Sequence, residues 1–426
     1  MLFAYCFIII VARSYTILVN VANFSAIFFG YPSSLCYFCV NIWNTNNKKI
    51  NVMKFVVSSA SLYSHLQAIS RVINSKSTLP ILDCFLFNIE DNKLTITASD
   101  NETTLDTMME IVESEGNYQF AIPSKTLLDA IKELPEQPIT FDINTQTMEV
   151  SILYMNGKYA LMGQSADEYP MAALMGENSV SFSIEADTLL GGINRTIFAT
   201  ADDELRPVMN GIYFDIFTDY VTLVASDGHK LVRYKLYNVK GEEKAAFILP
   251  KKPAALLKNL LAKEAGEIKI SFDDRNATFE MPTHRMICRL IEGRYPNYNS
   301  VIPQNNPFKV TIDRAAMLSA LRRVSVFSSQ SSSLIKLRMG NNELLISAQD
   351  IDFSTSAEEK LACAYEGNPM SIGFKATFLM DILSNINGQD VVIEVSDPSR
   401  AGVLVPAEQV EAEELLMLLM PMMLND

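Results

Sequence analysis

Histidine is nearly absent from this chain: His65, His229 and His284 are the only three in 426 residues. So few imidazoles leave little for a histidine-based zinc site or for a triad that needs a positioned base. GxSxG, GxxxxGK[ST] and GxGxxG are also missing, so no nucleophile elbow, P-loop or dinucleotide fingerprint is available. Asp227-Gly228-His229 sets an acid beside an imidazole, but residues so close in sequence seldom orient one another. The chain therefore reads as a protein without catalysis and without a cofactor. Cysteine is sparse as well. Cys6, Cys36 and Cys39 fall in the first 52 residues, and Cys84, Cys288 and Cys363 lie far apart in the rest. That odd, dispersed set excludes a disulfide framework and fits a cytoplasmic location. The Cys36/Cys39 pair has ligand spacing, but no second CxxC or HxxxH follows it, so no metal site is expected.

Basic residues are outnumbered, 35 against 49 acids, for a net charge of −14. The first 52 residues hold Arg13, Lys48 and Lys49 and no acid, so residues 53–426 carry −17. A body so acidic repels nucleic acid unless its bases are gathered on one surface. The first 52 residues open with an unbroken apolar run, 2–12, and a broken one at 15–29. No basic residue precedes Arg13, as a signal peptide requires. Arg13, Asn20 and Asn23 interrupt the roughly 20 apolar residues of a spanning helix. This stretch reads as an upstream extension of a working protein that starts at Met53, with no membrane partner. The competing reading, a membrane-tethered or exported β-rich structural protein, accounts for the apolar start and for nothing else.

What is abundant is self-similarity. Four patterns recur in the same order three times, at spacings between 123 and 129 residues. The first is a strand running into an amphipathic helix, at 54–72, 181–198 and 309–326. The second is a strand ending in a turn acid: LTITASD (94–100), VTLVASD (221–227) and LLISAQD (344–350). The third is a strand feeding another helix, at 120–134, 247–261 and 372–386. The fourth is a closing strand, at 139–143, 268–272 and 391–395. Units of this size are domains and not solenoid repeats. Alternating strands with two helices per unit predict α+β domains with antiparallel sheets, at 53–176, 177–305 and 306–426. The polar linkers MGENS (175–179) and PQNNP (303–307) fall between them.

Two helical segments gather the bases. Residues 251–263 carry Lys251, Lys252, Lys258 and Lys263, and residues 314–324 carry Arg314, Arg322 and Arg323, neither with an acid. Such faces either meet solvent or meet a polyanion through phosphate contacts, which give affinity without sequence readout.

From Met53 to Leu424 the chain resembles the bacterial β sliding clamp family. The motifs are MKF (53–55), TLPIL (78–82), ASDGHKL (225–231), LPKK (249–252), EGRYPNY (292–298) and MPMML (420–424). The resemblance implies a head-to-tail homodimer: a ring with antiparallel sheets outside and helices lining a central hole around double-stranded DNA. It implies DNA contacts at Lys76, Arg206, Lys251, Lys252 and Arg294, which Arg322 and Arg323 join. It implies a partner pocket of Met209, Ser226, Gly228, His229, Lys230, Leu231, Pro296, Val301, Leu419, Met420, Pro421 and Met422. That pocket takes short peptide motifs of the replicative polymerase, the clamp loader, other polymerases and repair proteins. Tyr159 and Leu161 are implied to meet Val326 and Phe327 of a second chain. Two departures bear on peptide preference. Met423 stands where the family tail is usually basic, with Asn425 and Asp426 beyond it, and serines 331–333 replace an aromatic near the pocket.

Overall fold

The computed structural model describes residues 52–424 except 74–78, 112, 115, 174 and 177. The upstream extension up to residue 51, Lys76, Asn425 and Asp426 lie outside the described residues. Each copy contributes two helices: α1 (Ser59–Ile69) and α2 (Ser124–Lys132), α3 (Ala186–Thr196) and α4 (Lys251–Leu261), α5 (Arg314–Val324) and α6 (Ala376–Asn385). Local chemistry sets their starts. Ser58 Oγ accepts the Ser61 amide at 3.3 Å and Asp313 accepts the Ala316 amide at 2.7 Å, each satisfying a donor that the first turn leaves open. Apolar residues three and four apart then bury one face: Leu62, Leu66 and Ile69 in α1, Met317, Leu321 and Val324 in α5. The basic segment expected over 251–263 stops being helical at Leu261, and Lys263 lies just past the end.

The sheets do not respect the boundaries between copies. In one nine-stranded sheet, Thr103–Glu110 of the first copy pairs antiparallel with His284–Arg289 of the second. In the other, Lys230–Leu236 of the second pairs with Glu413–Leu419 of the third. Each joint thus brings the last strand of one copy onto the strand that follows the turn acid of the copy before it. The pattern leaves two strands over. Gly157–Met162, the last long strand of copy one, ends a five-stranded sheet, and Thr355–Ala362, after the turn acid of copy three, ends a four-stranded one. Among the described residues neither outer edge is paired.

Within a copy the helix pair packs on the inward faces of the strands. Phe55 stacks on Phe141 at 4.6 Å and Phe87 on Phe120 at 5.3 Å, all fully buried. In the second copy Phe214 stacks on Phe247 at 4.5 Å. Truncating one of these rings to alanine costs about 3–5 kcal/mol, a large part of the stability of one domain. The other face of the middle strands is buried too, because side chains alternate. Val224, Leu231, Ile248 and Leu418 form a separate apolar cluster with Tyr295, Tyr298 and Ile302 of the segment that leaves copy two. Copy one does the same on a smaller scale with Tyr169 over Cys84 and Ala121.

Candidate partner-binding groove and basic helix faces

The groove grows from the turn after Ser226. Asp227 accepts the backbone amides of His229 and Lys230 at 2.8 and 2.9 Å, and Ser226 Oγ accepts the Gly228 amide at 3.2 Å. These bonds force a left-handed residue at the apex, and Gly228, with φ of 89°, fills it. A side chain there would strike Arg206, whose guanidinium lies beside the glycine. Lys230 is almost fully buried and survives so because its ammonium reaches Asp227 at 2.6 Å and sits 4.3 Å from the Phe378 ring centre. Burial alone raises the Asp227 carboxyl. The Lys230 ammonium and the two amides outweigh it and hold the group below the usual carboxylate range.

The tail closes the other wall. Leu231 pairs with Leu418 and Lys230 with Leu419. The Met420 amide then donates to the His229 carbonyl at 2.8 Å, and the Met422 amide to the Gly373 carbonyl at 2.8 Å. Gly373 is required there, since a Cβ would come within 2.7 Å of the Met422 carbonyl oxygen. The tail therefore crosses from the shared nine-stranded sheet to the edge of the four-stranded one. Leu419 is buried as floor, Met420 is 45% exposed and Met423 79% exposed, the latter where a basic residue was expected.

Of the twelve residues expected in this pocket, the structure brings together Ser226, Gly228, His229, Lys230, Leu231, Leu419, Met420, Pro421 and Met422. Met209 is buried at the end of the 206–209 turn, and Pro296 and Val301 lie exposed on the segment that carries Tyr295 and Tyr298. Two further residues belong to the groove. Phe378 on α6 meets the His229 ring edge-on at 5.9 Å. It supplies an aromatic where the serine run 331–333 had suggested none. Arg206, expected among the DNA contacts, lies beside Gly228 at the groove rim and pairs with Asp203 at 2.8 Å. Arg294 sits on the 291–302 segment with Tyr213 and Tyr295, on the sheet face opposite α3 and α4.

The remaining expected DNA contacts stand on helices. Lys251 pairs with Asp202 at 2.5 Å. Lys252 pairs with Asp100 and donates to the Val72 carbonyl at 3.3 Å, crossing the first joint. Arg323 makes a two-point contact with Glu359, at 2.9 Å from Nε and 2.5 Å from Nη2, and Arg322 is exposed beside it. Arg314 holds the Gly388 and Leu383 carbonyls at 3.0 and 3.1 Å, which ties it to the end of α6. Surface pairs of this kind are weak and screened, so a phosphate can displace the carboxylate.

Three family models cover nearly the whole described body in order. They are those of the DNA polymerase III beta subunit N-terminal domain at residues 53–174, central domain at 183–297 and C-terminal domain at 299–422. The chain belongs to the β sliding clamp family. Among curated clamps it is 26% identical to the beta sliding clamp of Pseudomonas aeruginosa over 366 residues, covering 86% of this chain and 99% of that protein. With the clamp of Haemophilus influenzae it shares 27% over 368 residues, with the same coverage. The crystal structure of a DnaN sliding clamp from Pseudomonas aeruginosa bound to griselimycin superposes with a TM-score of 0.83 at 26% identity, covering 87% of this chain and all of that one. The DNA polymerase III beta subunit of Thermotoga maritima gives 0.79 at 25% identity, covering 88% of this chain and all of that one. The three-domain antiparallel clamp fold is thus established for this chain. Among the described residues no helix is long and apolar enough to cross a membrane, and no group of three His, Cys, Asp or Glu is placed to hold a metal.

Proposed function

We propose that this chain is a DNA sliding clamp for replication: two copies join head to tail around duplex DNA and tether the replicative polymerase. The observation that carries the reading is the pair of leftover strands. Both internal joints pair a last strand with a strand that follows a turn acid. Gly157–Met162 and Thr355–Ala362 are the one remaining strand of each kind, at opposite ends of the repeat order. Tyr159 and Leu161 are half-buried on the first, Ala357 and Leu361 on the second, and Val326 and Phe327 stand 76% and 40% exposed beside the latter. Two copies satisfy both ends at once, and closed rotational symmetry leaves no edge. The three domains we assign are 53–176, 177–305 and 306–426.

A closed ring binds by topology, so its contacts with DNA need only be weak and blind to sequence. Lys251, Lys252, Arg322 and Arg323 on the helices serve that purpose, and the net acidity of the body discourages binding elsewhere. Arg206, beside Gly228, borders the groove, where it is placed to meet a carboxylate on an incoming peptide. The groove takes short motifs from the polymerase, the clamp loader and repair proteins; flexible Met420 and Met422 adapt to several sequences. The chain acts in the cytoplasm as a non-catalytic tether.

The assembly is tested by sedimentation of the full chain and of Phe327→Asp. A dimer is expected for the first and a monomer for the second, because the substitution buries an unpaired charge. A Phe327→Asp protein still dimeric at micromolar concentration places the joint elsewhere.

A further inference from the structure

We propose that the hairpin tip Ile351–Phe353 of the third copy is an apolar anchor for a second copy of this chain, seated on the first turn of that copy's α2. The inference rests on the ring reading above and adds to it a contact outside the strand pairing. Ile351 is 80% and Phe353 76% exposed, and Met162, at the end of the other leftover strand, is 65% exposed. Two large apolar side chains exposed at one hairpin tip, with a third exposed on the opposite leftover edge, are what a partner would cover.

What covers them follows from the two closed joints. All three hairpins turn on the same acid. Asp100 accepts the amides of Glu102 and Thr103 at 3.0 and 2.7 Å, Asp227 those of His229 and Lys230, and Asp350 those of Asp352 and Phe353 at 3.1 and 3.3 Å. In both internal joints the tip so formed touches the next copy in two places. Its backbone meets the last strand of that copy: the Arg289 amide donates to the Glu102 carbonyl at 2.9 Å, and the Met420 amide to that of His229. Its side chains meet the first turn of that copy's second helix. Asp100 pairs with Lys252 of α4, and His229 and Lys230 lie against Phe378 of α6. The third tip has no next copy in its own chain. The same two contacts on a second copy fall at Met162 and at Lys125 and Thr126, which open α2 as Lys252 opens α4.

The third tip is also built to reach further. Ser99 faces Thr104 and Ser226 faces Leu231 with four residues between them, whereas Gln349 faces Ser356 with six between. The two added residues carry the apolar pair outward. Asp352 brings a charge opposite to that of Lys125, matching the Asp100–Lys252 pair of the first joint.

The test uses the full chain. Sedimentation of Ile351→Ser/Phe353→Ser is compared with the unaltered protein and with Phe327→Asp. The unaltered protein is expected to be dimeric and the double variant to dissociate at least tenfold more readily, with its circular dichroism unchanged. A second readout joins Phe353→Cys to Thr126→Cys: mild oxidation is expected to give a covalent dimer that neither single-cysteine variant forms. An unaltered protein that is itself monomeric removes the ring reading and this one together. A dimer whose dissociation ignores the tip substitutions, with no cross-link, overturns the anchor alone and leaves the ring standing.

Discussion

The two internal joints share a backbone plan and differ in almost every side chain that matters. At the second joint Leu231 pairs with Leu418 over a floor of tyrosines, and Met420 ends the strand. At the first joint the matching positions are Thr104, paired with Ile287, and Arg289. The helix that the tip touches offers Phe378 at one joint and Lys252 at the other. Both joints carry a Tyr-Pro step over the sheet, Tyr169-Pro170 and Tyr295-Pro296, but the first leaves only a cleft of about 220 Å³ lined by Asn101, Met171, Arg275 and Arg289 among others. A joint therefore needs only complementary strands to hold, while a groove needs apolar residues at three positions the backbone does not dictate. The repeat supplies the frame, and the second joint alone carries apolar residues at all three positions.

The sharpest way to break this comparison is to strip the second joint. Deleting residues 420–426 removes one wall, and the affinity for a polymerase-derived peptide, read by fluorescence anisotropy, is expected to fall at least a hundredfold while sedimentation still shows a dimer. Arg289→Ala, the corresponding change at the first joint, is expected to leave peptide affinity alone. Phe378→Ala is expected to cost about tenfold, or about 1.4 kcal/mol, because it withdraws the ring that holds His229 and steadies the buried Lys230. Equal effects of Arg289→Ala and Phe378→Ala would erase the distinction.

Acid separates the joints in a second way. At the first, His65 of α1 bonds Thr107 at 2.5 Å and lies 5.9 Å from His284, which bonds Glu264 at 2.6 Å, while Arg285 pairs with Asp106 at 2.5 Å. Burial, then the neighbouring His284, push the His65 imidazole below its usual 6.5, against the pull of Glu264. The unfolded chain therefore binds the extra proton first, and the stability that His65 contributes is lost as pH falls below about 6.5. At the second joint Arg233, Lys235 and Tyr237 converge on Glu414, and Arg195 approaches Glu413 at 3.8 Å. Burial raises the Glu414 carboxyl, but the Tyr237 hydroxyl and the two cations bring it below its usual 4.5, so its contribution is lost only below that pH. Hydrogen exchange across a pH series is expected to show strands 103–110 and 284–289 loosening first, and strands 230–236 and 413–419 near pH 4. His65→Gln is expected to remove the upper step. Simultaneous loosening of both joints contradicts the assignment.

The smallest effect concerns the helix faces. Lys251→Glu with Lys252→Glu is expected to slow loading onto DNA and to leave dimerisation and peptide binding within twofold. A loss of peptide binding in that variant, seen in the same anisotropy assay, would show that the helix face and the groove act as one surface.

The sequence made some of this legible and hid the rest for physical reasons. Three copies, six helices and the turn acids are local patterns, and they stand where the periodicity placed them, apart from the early end of α4 at Leu261. The joints are not local. Nothing in Thr103–Glu110 announces that its partner is nearly 180 residues away, so the sheets that cross copy boundaries were invisible. For the same reason Phe378 was missed: it reads as one more apolar residue of α6, and only the His229 turn gives it a second role. The charge of Arg206 and Arg294 is visible in sequence, but the face that carries it is not: Arg206 stands beside Gly228, and Arg294 with Tyr213 and Tyr295. Arg314 was counted as part of a basic face, yet its guanidinium is committed to two carbonyls at the end of α6.

Closure of two copies into a ring is tested most directly by loading labelled protein onto a nicked circular duplex, raising the salt, and then cutting the circle once. Retention on the circle in high salt and release when the DNA is linearised are expected, because a ring slides off a free end. Loss from the intact circle in high salt, or equal retention before and after cutting, contradicts ring closure.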